Sequence, residues 1–213
     1  MLAEVRKLSS EYRSANIPPF RELVQLLLSH TILAAHHPGP RLYWPGNRRD
    51  RADLAGREHF QEPLPLRDGK YLKMAIGLFI ENTPEGKRVK VSDSAYQYQV
   101  DPDPDTKNWI FRYDYIRDPS AAYKDSEPYP YPQAHLQVNA NLVVPDLQLP
   151  KGSLEHVHFP TRRMPLEGII RLLAEEEQFG VPSADPPAVW RPLLATAEAD
   201  FLAIAHDAPL GPS

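Results

Sequence analysis

Cysteine is absent from this chain of 213 residues. That excludes disulfides, thiolate zinc sites and a cysteine nucleophile, and it fits a reducing compartment, so a cytoplasmic protein is expected. Long apolar runs are missing as well. The longest, Leu23 to Ala35, is interrupted by Gln25, Ser29 and His30, and it falls short of the roughly 20 apolar residues that span a bilayer. The first turns of MLAEVRKLSSEYR carry charges and lack the apolar stretch of a signal peptide. A soluble protein without a membrane partner is expected. Nor is there an excess of positive charge: 24 basic residues face 28 acidic ones, for a net charge of −4. Indiscriminate coating of nucleic acid is thereby excluded, whereas a local basic pocket holding one RNA strand is not. The sequence has no Gly-rich phosphate loop, no G-x-S-x-G elbow, no H-E-x-x-H and no dinucleotide fingerprint. A nucleotide-dependent enzyme, an α/β hydrolase and a zincin are excluded on that basis, and no cofactor is expected.

Proline, by contrast, is plentiful: 24 residues, about twice the usual share. They are spread along the chain, which points to many rigid loops in one domain covering residues 1–213. Leu2, Val5, Leu8 and Tyr12 recur at helical spacing, and Phe20, Leu23, Val24, Leu27, Leu28 and Ile32 predict a second helix from Pro19 to Ala35. Together they form a helical N-terminal segment, 1–40. His36-His37 beside Pro38-Gly39-Pro40 would cap its last carbonyls. Arg41 to Pro45 predicts a short strand, and the charged stretch from Gly46 to Lys70, including Arg48, Arg49, Arg51 and Arg57, predicts a solvated loop. From Tyr71 to Pro160 the pattern is that of strands: YLKMAIGLFIE, RVKVSDSAYQYQV, NWIFRYDYIRD, AHLQVNANLVV and LEHVHFP, with Pro/Gly/Asp turns between the first three. Residues 165–206 return to helical spacing. The expected fold is therefore α+β: an antiparallel β-meander of about five strands with helices at both ends.

Alternation sorts the strand side chains onto two faces. Trp109, Phe111, Tyr113 and Tyr115 share one face, and Arg112 and Asp114 the other. Leu136 and Val138 oppose His135, Gln137 and Asn139, and Val157 and Phe159 oppose His156 and His158. Matching neighbours would gather Arg112, Asp114, His135, Gln137, Asn139, His156 and His158 on one surface. Two histidines of near-neutral pKa could act as base and acid in phosphodiester cleavage, with Asp114 orienting one of them. Arg112 with Arg162 or Arg163 would stabilise the phosphorane, and Gln137 and Asn139 would help bind the substrate. Two other interpretations compete: a metal site built from His156, His158, His135 and Asp114, or the solvated face of a half-buried sheet. Tyr123, Tyr129 and Tyr131 with their prolines offer an aromatic surface for bases or a protein partner.

WIFRYDYIRDP, followed by AHLQVN and EHVHFP, resembles small bacterial toxin–antitoxin proteins of the TumE type over about a third of the chain. In that pattern Arg112, Tyr113 and Asp114 stand on an R-Y-D strand, and His156, His158, Phe159 and Pro160 on a histidine-rich segment before Phe-Pro. The resemblance implies a toxin-like or defence-associated bacterial protein and a ribonuclease; combined with the strand alternation, the expectation is a metal-independent ribonuclease acting through His135, His156 and His158 with Arg112 and Asp114. The resemblance also implies a cognate antitoxin or other protein partner, with RNA as substrate and room for a homo-oligomer. The alternative is a non-catalytic interaction protein, an antitoxin or adaptor, whose terminal helices and Tyr/Pro loop bind a partner.

Overall fold

The computed structural model describes residues 1–13, 16–46, 49–56, 62–84, 86–118, 133–139 and 159–205. Two helices open the chain: α1 (Leu2–Arg13) and α2 (Pro18–His30). Prolines occupy the first turn of α2, where a missing N–H costs nothing. The helix closes five residues before the apolar spacing runs out. There the Thr31 hydroxyl donates to the Leu27 carbonyl at 2.6 Å, and Leu33 leaves the helix to bridge Leu66 in an antiparallel pair. Beyond the helix end, His37 Nδ1 accepts the Gly39 amide at 3.1 Å.

Eight strands follow: β1 (Arg41–Tyr43), β2 (Arg51–Ala55), β3 (Leu64–Pro65), β4 (Tyr71–Thr83), β5 (Gly86–Gln99), β6 (Trp109–Ile116), β7 (Ala134–Val138) and β8 (Phe159–Pro160). They form one antiparallel sheet in the order β1-β2-β4-β5-β6-β7-β8, with β3 beside β2 on the same edge of β4. The α+β architecture with helices at both ends is as expected, but the sheet has more strands than the five anticipated. The surplus comes from 46–70, which is not simply a loop: Arg51–Ala55 pairs with both β1 and β4. Charges at Arg51 and Asp53 hide a short alternation in which Ala52 and Leu54 point inward and are buried. Arg48 and Arg57 of that stretch lie outside the described residues, as do residues 119–132 with the Tyr/Pro segment, 140–158 with most of the expected fifth strand, and 206–213.

After the sheet come α3 (Leu166–Glu175) and α4 (Pro187–Ala205). The helices share one core with Leu54, Leu72, Met74, Ile76, Tyr96, Tyr98, Phe111 and Tyr113. The register aligns these strand residues on a single face: Leu72 opposite Tyr98, Met74 opposite Tyr96, Tyr96 opposite Tyr113, and Tyr113 opposite Leu136. Phe179, just after α3, closes edge-on over Tyr98 and Phe111 at 5.7 and 5.6 Å between centroids, a favourable aromatic geometry. Tyr113 also clamps the chain entering α3. Its hydroxyl donates to the Arg162 carbonyl and accepts the Met164 amide, both at 2.6 Å. Far from the sheet's centre, the linker before α4 is tied to the end of α2 by His30 Nδ1 and Asp185 Oδ2 at 2.6 Å. Among the described residues no helix is long and apolar enough to cross a membrane.

Candidate functional site

The helices cover the tyrosine face, so the opposite face carries the polar side chains that alternation assigns to it. Its rows follow from the register. Lys73, Gln97, Arg112 and Gln137 stand side by side, and in the next row Ala55, Ala75, Ala95, Asp114 and His135. The alanines make that row low, and the carboxylate and imidazole rise at one end of it. Antiparallel neighbours directly opposite one another are close enough for their side chains to interact.

Arg112 and Asp114 form a two-point ion pair, with Nε to Oδ2 at 2.7 Å and Nη2 to Oδ1 at 3.0 Å. This fork geometry holds both planes in place. The same Oδ2 also lies near His135, whose Nε2 is 3.8 Å away. That distance is too long for a hydrogen bond. Exposure falls steeply along the chain of three: the Arg112 side chain is 47% exposed, Asp114 13% and His135 3%. The guanidinium thus meets solvent while the imidazole sits beneath it.

The remaining sequence candidates divide. Gln137 is placed opposite Arg112, on the expected face. Asn139 is buried, its amide donating to the carbonyls of Lys107 and Trp109 at 2.8 and 2.6 Å. Arg163 is a correction: its guanidinium lies 4.4 Å over the Tyr115 ring, on the helix-covered face, and the sheet separates it from Arg112. Arg162 is exposed, and its backbone carbonyl accepts the Tyr113 hydroxyl. Trp109 also departs from simple alternation. A register shift after Tyr98 sets it opposite Gln99, while Ile110 packs against the core instead. His156 and His158 lie outside the described residues. Pro160, two residues after His158, pairs with His135.

The same face holds groups that the sequence did not single out. Gly77 lies between Asp53 and Asp93 in register, and the Asp93 carboxylate fills the space a Cβ would need there. Burial, with Asp93 second, raises the Asp53 carboxyl above its ordinary value, and Arg51 counters in part. Lys90 is fully buried, with Nζ 3.9 Å from Glu81. Lys90 is an outward position between Val89 and Val91, and the register shift between Gly77 and Leu78 brings Asp93, of opposite parity, to the same face. Among the described residues no group of three or more histidine, aspartate or glutamate side chains is arranged to hold a metal ion. Compared with protein-family models, curated proteins and solved structures, the chain matches none.

Proposed function

We propose that the chain is a toxin-like or defence-associated protein that cleaves RNA without a metal, using the Arg112–Asp114–His135 face as its acid/base site. One observation carries this: the three groups are chained together on the sheet face that the described helices leave uncovered. The reaction needs a base to take the proton of a ribose 2′-hydroxyl. Its oxygen then attacks the adjacent phosphorus, the bond from phosphorus to the 5′-oxygen breaks, and an acid protonates that leaving oxygen. The products are a 2′,3′-cyclic phosphate and a 5′-hydroxyl. His135 is assigned one of the two proton transfers, with Asp114 stabilising its imidazolium. Arg112, half out in solvent, meets the phosphate charge. His156 and His158 are the sequence candidates for the second imidazole.

A second function is favoured by a different observation. His135 is almost sealed and Arg112 is already paired, as in a structural network that supports a binding surface. An antitoxin or adaptor would use the face for contact, with RNA or a protein as partner. Incubating the full chain with single-stranded RNA in EDTA separates the two. Cleavage giving cyclic phosphate ends, lost in His135→Ala and in the His156→Ala/His158→Ala double variant, is expected of the enzyme. Intact RNA, or cleavage unchanged in these folded variants, would leave the interaction protein.

A further inference from the structure

Lys73, Gln97 and Arg112 stand side by side on the uncovered face, in the row next to Ala75 and Ala95. Lysine and arginine side chains only donate hydrogen bonds, so Gln97 is the member of this trio that can accept one. Which way its amide points is decided by the loop after β5. Asp101 folds that loop back on itself, its carboxylate accepting from the Asp103 amide, the Thr106 hydroxyl and the Asn108 side chain at 3.2, 2.8 and 3.0 Å. The carbonyls of Asp101 and Asp103 are thereby held in place. Gln99, fully buried, donates its Nε2 to both of them at 2.8 Å.

Main-chain carbonyls only accept, so the nitrogen of Gln99 is assigned without ambiguity and its Oε1 lies on the other side of the amide. There it accepts Gln97 Nε2 at 2.8 Å. An oxygen in that place would repel Gln99 Oε1, so Gln97 too has a single orientation, with its nitrogen on Gln99 and its Oε1 turned away. Among the described residues the Gln97 side chain makes no other hydrogen bond, and it is half-buried rather than covered. A freely rotating amide offers donor or acceptor alike and discriminates little. This one is a fixed acceptor directly opposite Arg112, and the short side chains of Ala75 and Ala95, both partly exposed, make a low floor beside it.

We infer that Gln97 is the base-reading residue of this face: its oriented oxygen accepts the exocyclic amino group of an adenine or cytosine in single-stranded RNA whose phosphate lies at Arg112. The inference rests on the proposal that this face takes RNA, and adds to it a substrate class, amino-bearing bases over uracil. Uracil is the informative contrast, because cytosine and uracil share a shape and differ in whether an amino group or a carbonyl oxygen meets the amide. Two oxygens opposed in that place are both left unpaired, which costs more than one hydrogen bond gains.

Fluorescence anisotropy of the full chain with short 2′-O-methyl oligo(A), oligo(C) and oligo(U), which lack the attacking 2′-hydroxyl and stay intact, tests it. Oligo(A), oligo(C) or both should bind about ten-fold tighter than oligo(U), and the tighter of the two identifies the base. Gln97→Met, which keeps the length of the side chain, and Gln97→Leu should bring all three within about two-fold of one another. Gln99→Leu releases the Gln97 amide to rotate and should lower the preference as well. A Gln97 that merely satisfied Gln99 would alter stability on substitution and leave the preference untouched. Equal binding of the three by the wild type, tighter binding of oligo(U), or a preference that survives in folded Gln97→Met overturns the inference, even where unmodified RNA is cleaved. The expected preference without cleavage of unmodified RNA supports it and ends the nuclease instead. Binding of none of the three overturns it together with the RNA-binding face on which it rests.

Discussion

The two faces of the sheet are built from the same strands, with side chains one residue apart, yet they solve different problems. On one, tyrosines 96, 98 and 113 are buried beneath four helices and their hydroxyls are each given a partner: Ser94 for Tyr96, Asp68 for Tyr98, and the backbone of 162 and 164 for Tyr113. Burial pushes all three phenols upward from their ordinary pKa. On the other face, charge is retained and paired, Arg112 with Asp114 and Asp114 with His135. Neutral polar groups can be sealed when each is bonded. Charged ones need a partner, as Arg112 has in Asp114 and Lys90 in Glu81.

The largest expected effect that would break this contrast lies on the closed face. Trp190 of α4 is among the most deeply buried side chains, and Trp190→Ala should lower unfolding free energy by about 3–5 kcal/mol in denaturant titration. A loss comparable to that of a surface variant would mean that the helices do not seal this face. Next comes Glu167, a carboxyl buried within the apolar layer, in a small space lined by Tyr12, Phe20, Ile76 and Tyr96. Burial raises its pKa from 4.5 to about 7, with Glu198 adding to the rise and its own amide and Arg171 opposing it. The folded chain therefore holds a proton that the unfolded chain releases near pH 4.5. Stability falls as pH climbs from there to about 7 and levels off above, by roughly 3 kcal/mol in all. Glu167→Gln should flatten that part of the Tm-against-pH curve. A wild-type curve that rises through this window would contradict the assignment.

Smaller effects sharpen the view of the open face. Gly77→Ala forces a Cβ into the Asp93 carboxylate and Ser92 hydroxyl. Because those are side-chain atoms that can move, the cost should be about 1–2 kcal/mol by chemical denaturation, and none at all would show that Asp93 does not rest there. Arg112→Gln should cost less still, under about 1 kcal/mol, since the pair is half solvated. If the face is catalytic, its RNA-cleavage rate should nonetheless fall by about 100-fold or more.

How much of this was legible beforehand depended on whether the signal was local. Parity alone placed Arg112, Asp114, His135 and Gln137 together against Phe111, Tyr113 and Tyr115, because one side chain per residue alternates without exception over that span. The same rule misassigned Trp109, where the ladder slips by one residue after Tyr98 and nothing in the sequence marks the slip. Arg163 is grouped with Arg112 on its charge alone, as a cation able to meet a phosphorane. Its side is decided by the Tyr113 clamp on residues 162 and 164, a contact across some 50 positions. β2 was hidden by its flanking charges, and the His30–Asp185 tie joins residues 155 apart, beyond the reach of any periodicity.

Because the chain has no cysteine of its own, single cysteines at neighbouring positions can report the two faces directly. Thiol-labelling rates of Arg112→Cys, Tyr113→Cys and Phe111→Cys should be measured under native conditions. Rapid labelling at 112, with 111 and 113 reacting only as the protein unfolds, is the predicted result. Equal rates at 112 and 113, or protection at 112 with reaction at 113, would mean that the helices do not close the tyrosine side and that Arg112, Asp114 and His135 do not share an uncovered one.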